Sequence, residues 1–330
     1  MQTYLDLIRE VLTEGRYKPN RTGVDTIASF AAQYTVDLSA GFPLLTTKDL
    51  SGFRWNSLLH ELIWYISGEE HIRTLREHTG IWDAWADAQG QLDTAYGRFW
   101  RRYPLAAEPL AGESWAGPDS PWTNDDGTFD QIRYVLDTLR DDPYSRRMVV
   151  SAWHPANAAV STLPPCHYTF VVSVQGDALH LHLTQRSGDV ALGIPFNIAA
   201  YALLAQVLAQ RSGFALGSFG HTIVDAHIYC GEADRGEWYA SHLDALQERL
   251  QSATEPEEIR SVAAWIEELA PPERQPDYDH VPGLLEQLAR SPRSRPQLRI
   301  EDVPIDDLRV EHIELDGYDP AGPLRFAVAE

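Results

Sequence analysis

Apolar residues recur at helical spacing near the start of the chain, alternate at strand spacing in its middle, and return to helical spacing beyond residue 230. Met1 to Leu12 mixes acids into an amphipathic helix pattern, and Ala28 to Leu38 reads as a strand. From Trp55, the residues Leu58, Leu59, Leu62, Ile63 and Ile66 keep a helical period until Gly68 ends it. Further helices are predicted over about 70–78 and over 131–140, and the Pro-, Gly- and acid-rich stretch 104–127 between them reads as a loop or insertion. The β-rich centre comprises 147–153, 168–174 and 178–184. Gln175-Gly-Asp joins the last two as a hairpin, and Leu179, Leu181 and Leu183 alternate with His180 and His182, so the leucines share a face. From Asn197 to Gln210 the pattern is almost wholly apolar and stops before Gly213, as a buried central helix would. Over 232–294 there are two stripes, one of Leu243, Leu246 and Leu250, the other of Ile259, Val262, Ala263, Ile266 and Leu269. Each is too narrow for a core of its own, so this acidic segment reads as a surface helical insertion. Residues 298–300 and 310–315 read as terminal strands.

Composition adds the physical setting. In 330 residues, 44% apolar with 34 aromatics, there is ample material for a core, which excludes a disordered acidic chain. The net charge is −21, and of 27 basic residues only Lys18 and Lys48 are lysines. Acid excess with almost no lysine is what a cytoplasm at molar salt favours, because the Debye length there is about 3 Å and self-repulsion is screened. A GC-rich genome, which raises Arg over Lys through its codons, is the other source of that ratio. Such a charge disfavours non-specific contact with nucleic acid or anionic membrane. Two cysteines make no disulfide framework, the N-terminus has no basic region before an apolar stretch, and no apolar run approaches membrane length; the expectation is a soluble cytoplasmic protein.

Candidate chemistry gathers at a few places. In Leu163-Pro-Pro-Cys166-His167 the two prolines stiffen the approach, so Cys166 is held in one direction as a nucleophile would be, or is a buried small hydrophobe. Arginine nearby favours a thiolate. Ser145-Arg146-Arg147 and Gln185-Arg186-Ser187 place guanidinium forks and hydroxyls where an anion, phosphate above all, would satisfy them; each is otherwise a solvated or salt-bridged surface. Arg21, in a Thr-Gly turn, is a weaker candidate of the same kind. Glu61 is a carboxylate in an apolar helical pattern, either a proton carrier with a raised pKa or an exposed helix face. His180 and His182 share a strand face without a third metal ligand, and no metal is expected. Asn197 reads as an N-cap, or as an amide that both donates and accepts, as a uracil edge requires.

In order along the chain, these residues resemble the thymidylate synthase family. The resemblance is carried by Arg21-Thr-Gly, Phe42-Pro-Leu-Leu-Thr-Thr-Lys48, His60-Glu-Leu-Ile-Trp, Ile81-Trp-Asp-Ala-Trp-Ala-Asp87 and Ala95-Tyr-Gly97. Ser145-Arg-Arg, Leu163-Pro-Pro-Cys-His, Gln185-Arg-Ser-Gly-Asp-Val-Ala-Leu-Gly-Ile-Pro-Phe-Asn197, Asp225-Ala-His-Ile-Tyr229 and Gly317-Tyr-Asp-Pro320 continue it over nearly the whole chain apart from the two insertions. It implies one catalytic domain over 1–330 with insertions at about 104–127 and 232–294. The implied fold is α/β of the α+β type, a large mixed β-sheet flanked by helices, two subunits packing sheet to sheet.

The resemblance also implies the reaction: reductive methylation of dUMP to dTMP with 5,10-methylenetetrahydrofolate as carbon and hydride donor. Cys166 would add to C6 of uracil, Asn197 would hold the O4/N3 edge, and Glu61 with Tyr96 would move protons. Arg21, Gln185, Arg186 and Ser187 would bind the nucleotide on the phosphate side, with Arg146 and Arg147 of a second subunit completing the site. His227 and Tyr229 would take the ribose hydroxyl; Asp189 would bind the pterin, Trp82 would line the folate side and Lys48 would face the glutamate tail. Three features depart from the family pattern: a longer segment after Lys48, a tail ending in Glu330 where an apolar residue is usual, and the insertions. A dUMP hydroxymethylase of the same family and a non-enzymatic nucleotide- or RNA-binding regulator are the alternatives. Acid is expected on the outer helices and insertions, and a positive cleft beneath.

Overall fold

The computed structural model describes residues 1–20, 22–105, 117, 119–273 and 278–329. Helix α1 (Gln2–Glu14) buries Leu5, Ile8 and Leu12, then strands β1 (Arg16–Lys18) and β2 (Val24–Asp37) follow. Next comes α2 (Phe53–Ser67), which buries Leu58, Leu59, Leu62 and Ile66 and ends at Gly68, whose φ of 74° places it in the left-handed region that glycine tolerates. The helix expected over 70–78 shrinks to the single turn α3 (Arg73–Arg76), because the chain is drawn off by a bridge between His71 and Gln91. Short α4 (Tyr96–Arg101) precedes α5 (Gln131–Asp141), whose N-cap Asp130 accepts a hydrogen bond from the Arg133 backbone N–H.

Strand β3 (Val149–Ser151) is shorter than expected, and one turn, α6 (Pro155–Ala158), separates it from the hairpin β4 (His167–Gln175) and β5 (Ala178–Gln185). Gly176 turns that hairpin at φ 65°. Strand β6 (Gly188–Asp189) leads into α7 (Gly193–Ser212), and β7 (Ala215–Glu232) is the longest strand. Asn197 is not the N-cap: α7 opens four residues earlier, because the Asp189 carboxylate already accepts the Ala191 and Leu192 N–H groups just ahead of it. The main sheet runs β1-β2-β7-β5-β4-β3, with β6 on β7; the β5–β7 and β6–β7 pairs are parallel, the rest antiparallel. Helix α7 is the crossover between parallel β5 and β7, and Leu203, Leu204, Ala205 and Leu208 are wholly buried. It is long and apolar enough to cross a membrane, but it is mostly enclosed, as a core helix is. Leu179, Leu181 and Leu183 share the buried face, while His180, His182 and Thr184 on the other side are half-buried.

Past β7 come α8 (Asp234–Ser252), α9 (Pro256–Leu269) and α10 (Val281–Leu288), then a two-stranded sheet of β8 (Gln297–Ile300) and β9 (Ile313–Asp316). Leu243, Leu246 and Leu250 are buried as expected, and so are Ile259, Val262 and Ile266, but Leu269 is exposed. Helix α10 was not anticipated, and it is no surface decoration: Leu284 and Leu285 are wholly buried. The excursion of 231–278 carries α8 and α9, and α8 packs back onto β1, β2 and β7. It leaves at Cys230 and returns at Asp279, which bridge each other, and the His280 N–H donates to the Tyr229 carbonyl at 3.0 Å. Residues 310–312 form a 3-10 turn rather than strand. Buried apolar side chains from α1 to Ile313 form one contiguous cluster.

Candidate active site

The Pro164-Pro165 turn and the end of β5 meet at a cavity of 570 Å³, lined by Cys166, Arg186, Ser187, Asp189, His227 and Tyr229 among others. Arg186 ties the turn down. Its Nη2 donates to the Pro164 carbonyl at 2.6 Å, its Nε to that of Pro165 at 3.0 Å, and its backbone N–H to that of Cys166 at 2.9 Å. The Cys166 N–H donates to the Tyr96 hydroxyl at 2.9 Å, so the cysteine backbone is held from both sides. Neither Cys166 nor Cys230 is in a disulfide. Behind Tyr96 stacks His167, with centroids 3.7 Å apart and planes 2° from parallel; burial drives its pKa down to about 3, so it is neutral.

Glu61, on α2, is tied to the aromatic rings packed around Tyr96, and neither it nor Tyr96 nor Asn197 is on the described lining of the cavity. Glu61 Oε1 accepts from Tyr65 Oη at 2.7 Å and Trp82 Nε1 at 2.8 Å, and desolvation nevertheless holds its pKa above the usual carboxylate range. Trp82 is thus buried and turned to Glu61, and it is Trp85 that lines the cavity. Tyr96 bonds to Cys166 rather than to Glu61.

A buried chain of polar groups orients Asn197. Its Nδ2 donates to Gln185 Oε1 at 3.0 Å, and that oxygen also accepts from His221 Nε2 at 2.6 Å. Burial keeps His221 neutral, so Nδ1 is an acceptor and takes the Tyr34 hydroxyl proton at 2.7 Å. With one amide proton engaged, Asn197 retains a second N–H and its carbonyl for a ligand edge. His221 and Tyr34 were not singled out from sequence; they lie on different strands, and only the β2–β7 register, which pairs them, brings them together.

At the other end of the cavity Ser187 Oγ is 3.5 Å from His227 Nδ1, and His227 lies beside Asp225. Asp225 also pairs with Lys18, and hydrogen bonds from His227 and Lys18 hold its pKa down at about 2. Lys18 lines the cavity. Its signal in the sequence was compositional: one of two lysines among 27 basic residues. Lys48, by contrast, does not face outward. It is 2% exposed, donates to the Ala191 carbonyl at 3.0 Å and sits 4.5 Å over the Phe326 ring; burial lowers its pKa to about 8. Asp189 lines the cavity, joined there by Val328 and Ala329 of the tail.

Arg146 and Arg147 are not brought to this cavity within the chain. They are exposed beside a separate hollow with Trp122, Tyr134 and Tyr144. Arg21 and Glu330 lie outside the described residues. Among those described, no cluster of three metal-binding side chains occurs; His182 bonds to Thr222 and His180 accepts the Ser218 N–H. Two cations, Lys18 and Arg186, face two carboxylates, Asp189 and Asp225, on the described lining, so the expected positive cleft is not present in one chain's described residues.

A family model described as thymidylate synthase matches residues 2–330. The chain is also 68% identical over 327 residues to the thymidylate synthase of Haloferax volcanii, covering 98% of this chain and 96% of that one.

Proposed function

This chain belongs to the thymidylate synthase family, and from that membership we propose how its residues divide the work of methylating dUMP. The enzyme is a methyltransferase; the family's reaction takes methylenetetrahydrofolate as co-substrate and gives dTMP. In our reading Cys166 adds as thiolate to C6 of uracil, and the C5–C6 electron pair moves toward O4. Asn197 donates its remaining N–H to O4 and accepts a hydrogen bond from N3–H, stabilising the enolate as an oxyanion hole does. C5 would then bond to the folate's methylene carbon as that carbon's bonds to the two folate nitrogens break in turn, the C5 proton would leave toward the Glu61 carboxylate, and hydride from the resulting tetrahydrofolate would complete the methyl group, leaving dihydrofolate and freeing the Cys166 thiolate. Arg186 and Ser187, with Arg21, grip the phosphate, and His227 and Tyr229 the ribose. Asp189 faces the pterin, and Trp85 does the lining that the sequence assigned to Trp82.

The observation that carries this reading is the Arg186 clamp: one residue fixes the cysteine turn by three hydrogen bonds while its neighbour Ser187 lines the same cavity. Incubation with 5-fluoro-dUMP and the folate, followed by intact mass, should give one ternary adduct on Cys166; without it the mechanism falls. A hydroxymethyl product from dUMP would point instead to the hydroxymethylase, which the close relative disfavours.

We further propose a homodimer. A phosphate dianion together with Asp189 and Asp225 outweighs Lys18, Arg186 and Arg21, and Arg146 and Arg147 stand exposed elsewhere. Phe30, 85% exposed on β2, supports a partner covering that side. Mixing inactive Cys166→Ser with inactive Arg146→Ala/Arg147→Ala subunits should restore about a quarter of the parent activity, since random heterodimers hold one intact site; no recovery would sink the shared site. The acidic, lysine-poor surface supports activity and stability that rise from low salt to molar KCl, which a salt titration of both tests. Single-domain organisation, with 231–278 as the larger insertion, fits the one contiguous core.

A further inference from the structure

One buried imidazole beside the cavity has an unused nitrogen. His280, immediately before α10, is 0% exposed and donates from Nε2 to the Ala327 carbonyl of the C-terminal tail at 3.0 Å. That donation fixes the tautomer, since burial disfavours the charged ring: Nε2 carries the proton and Nδ1 presents a lone pair. Among the described residues Nδ1 has no hydrogen-bond partner, and it stands 3.8 Å from Asp189 Oδ1. Two acceptors therefore face each other at the edge of the cavity, the carboxylate oxygen already taking the Ala191 and Leu192 N–H groups. Such a pair is stabilised when a donor is shared between them and is unfavourable otherwise.

The ring is held there by the tail itself. Phe326 packs edge-on against His280 with centroids 5.0 Å apart and receives the Lys48 ammonium on its face at 4.5 Å. Gly283, in the first turn of α10, makes room for it, since a Cβ there would meet the Phe326 ring at 2.7 Å. Two residues further on, Val328 and Ala329 line the cavity beside Asp189. Tail position and Asp189 are thus connected through a single imidazole.

We propose that His280 is a positioning residue for the folate half of the reaction: it joins the C-terminal tail to Asp189, so that an N–H or water donor arriving with the folate is shared by Nδ1 and the carboxylate only while the tail is in place. The inference rests on the reading of Asp189 as a folate contact and on the tail lining the same cavity. His280→Gln keeps a donor within reach of Ala327 and loses Nδ1; His280→Asn keeps a polar atom near Nδ1 and cannot reach the tail. Both should bind dUMP within twofold of the parent and raise the folate KM about tenfold, the size of one buried hydrogen bond. In an Asp189→Asn background, His280→Gln should add less than twofold.

A folate KM within twofold of the parent, in a variant that unfolds at the parent temperature, overturns the proposal. So does a parallel rise in dUMP Kd and folate KM, the mark of a merely structural role, or a fully additive loss with Asp189→Asn. If Asp189→Asn alone leaves the folate KM unchanged, the reading of Asp189 fails and this inference with it; if only the His280 variants are silent, that reading stands. Should the His280 variants not fold, Phe326→Leu on the half-buried tail must raise the folate KM with dUMP binding unchanged, and its silence is equally decisive.

Discussion

The cavity around Cys166 and the helical segment 231–278 belong to one chain and follow opposite rules for polar groups. Around the cavity, polar side chains are buried and bonded over long sequence distances: Tyr34 to His221, His221 to Gln185, Trp82 to Glu61. In the helical segment they are mostly exposed and bonded locally, as in the Arg260–Glu257 pair one turn apart or the Glu255/Glu258 capping box. Twelve of the chain's 48 acidic residues fall in these 48 positions, against four arginines. Acidic charge is therefore enriched where water solvates it, whereas polar groups taken out of water, such as Gln185 and His221, are held by partners far away in sequence. Among the described residues of the helical segment, Arg235 departs from this: it is buried between Asp279 and Glu267, where it ties the ends of the excursion together.

This contrast can be broken from either side. The largest effect is expected from Cys166→Ser, which should lower kcat by about 10⁴-fold or more while leaving the unfolding midpoint in urea unchanged. Arg235→Met should do the reverse. It strands Asp279 and costs about 3 kcal/mol in unfolding free energy, with kcat per folded enzyme retained; loss of kcat without loss of stability would erase the distinction. A third test is pH. His167 is held neutral, near pKa 3, and His221 is lowered too, so the unfolded chain binds more protons than the native one below about pH 6.5. Their contribution is fully present above that pH and is lost as pH falls toward 3, by about 1.4 kcal/mol per pH unit for each group. Urea unfolding at pH 7, 6 and 5 should show that slope, reduced in His167→Gln. The smallest effect belongs to Glu257→Gln, which removes an exposed pair and should shift neither kcat nor the unfolding midpoint measurably.

Much of the fold was legible from local pattern, because α2, the β4–β5 hairpin and α7 are each specified by their own residues: an apolar stripe closed by Gly68, alternation around Gly176, an apolar run ended by Gly213. Helix α10 was not legible, since its eight residues carry too short a stripe to separate from the acidic segment before it. Asn197 was misplaced for a related reason. An asparagine after Pro195 looks like a cap, but Asp189 had already supplied the carboxylate that starts the helix. At the site, Cys166 and Arg186 stood out through chemistry that their neighbours in sequence explain. His221, Tyr34 and His280 did not, because each acquires its role from partners more than 30 residues away. The burial of Lys48 against Ala191 and Phe326 was not legible either, because its residue type suits a surface position and only the fold encloses it.

The bridge between Cys230 and Asp279 has an implication for lineage. Because the chain returns to the residue beside the one it left, closing a longer or shorter excursion changes the entropy only logarithmically, provided that Leu243, Leu246 and Leu250 still reach the core. The exposed faces of α8 and α9 can then be rewritten for a different solvent without moving Tyr229 on one side of the junction or His280 on the other. Enzymes with this sheet could then differ widely in length and surface charge while keeping one nucleotide pocket.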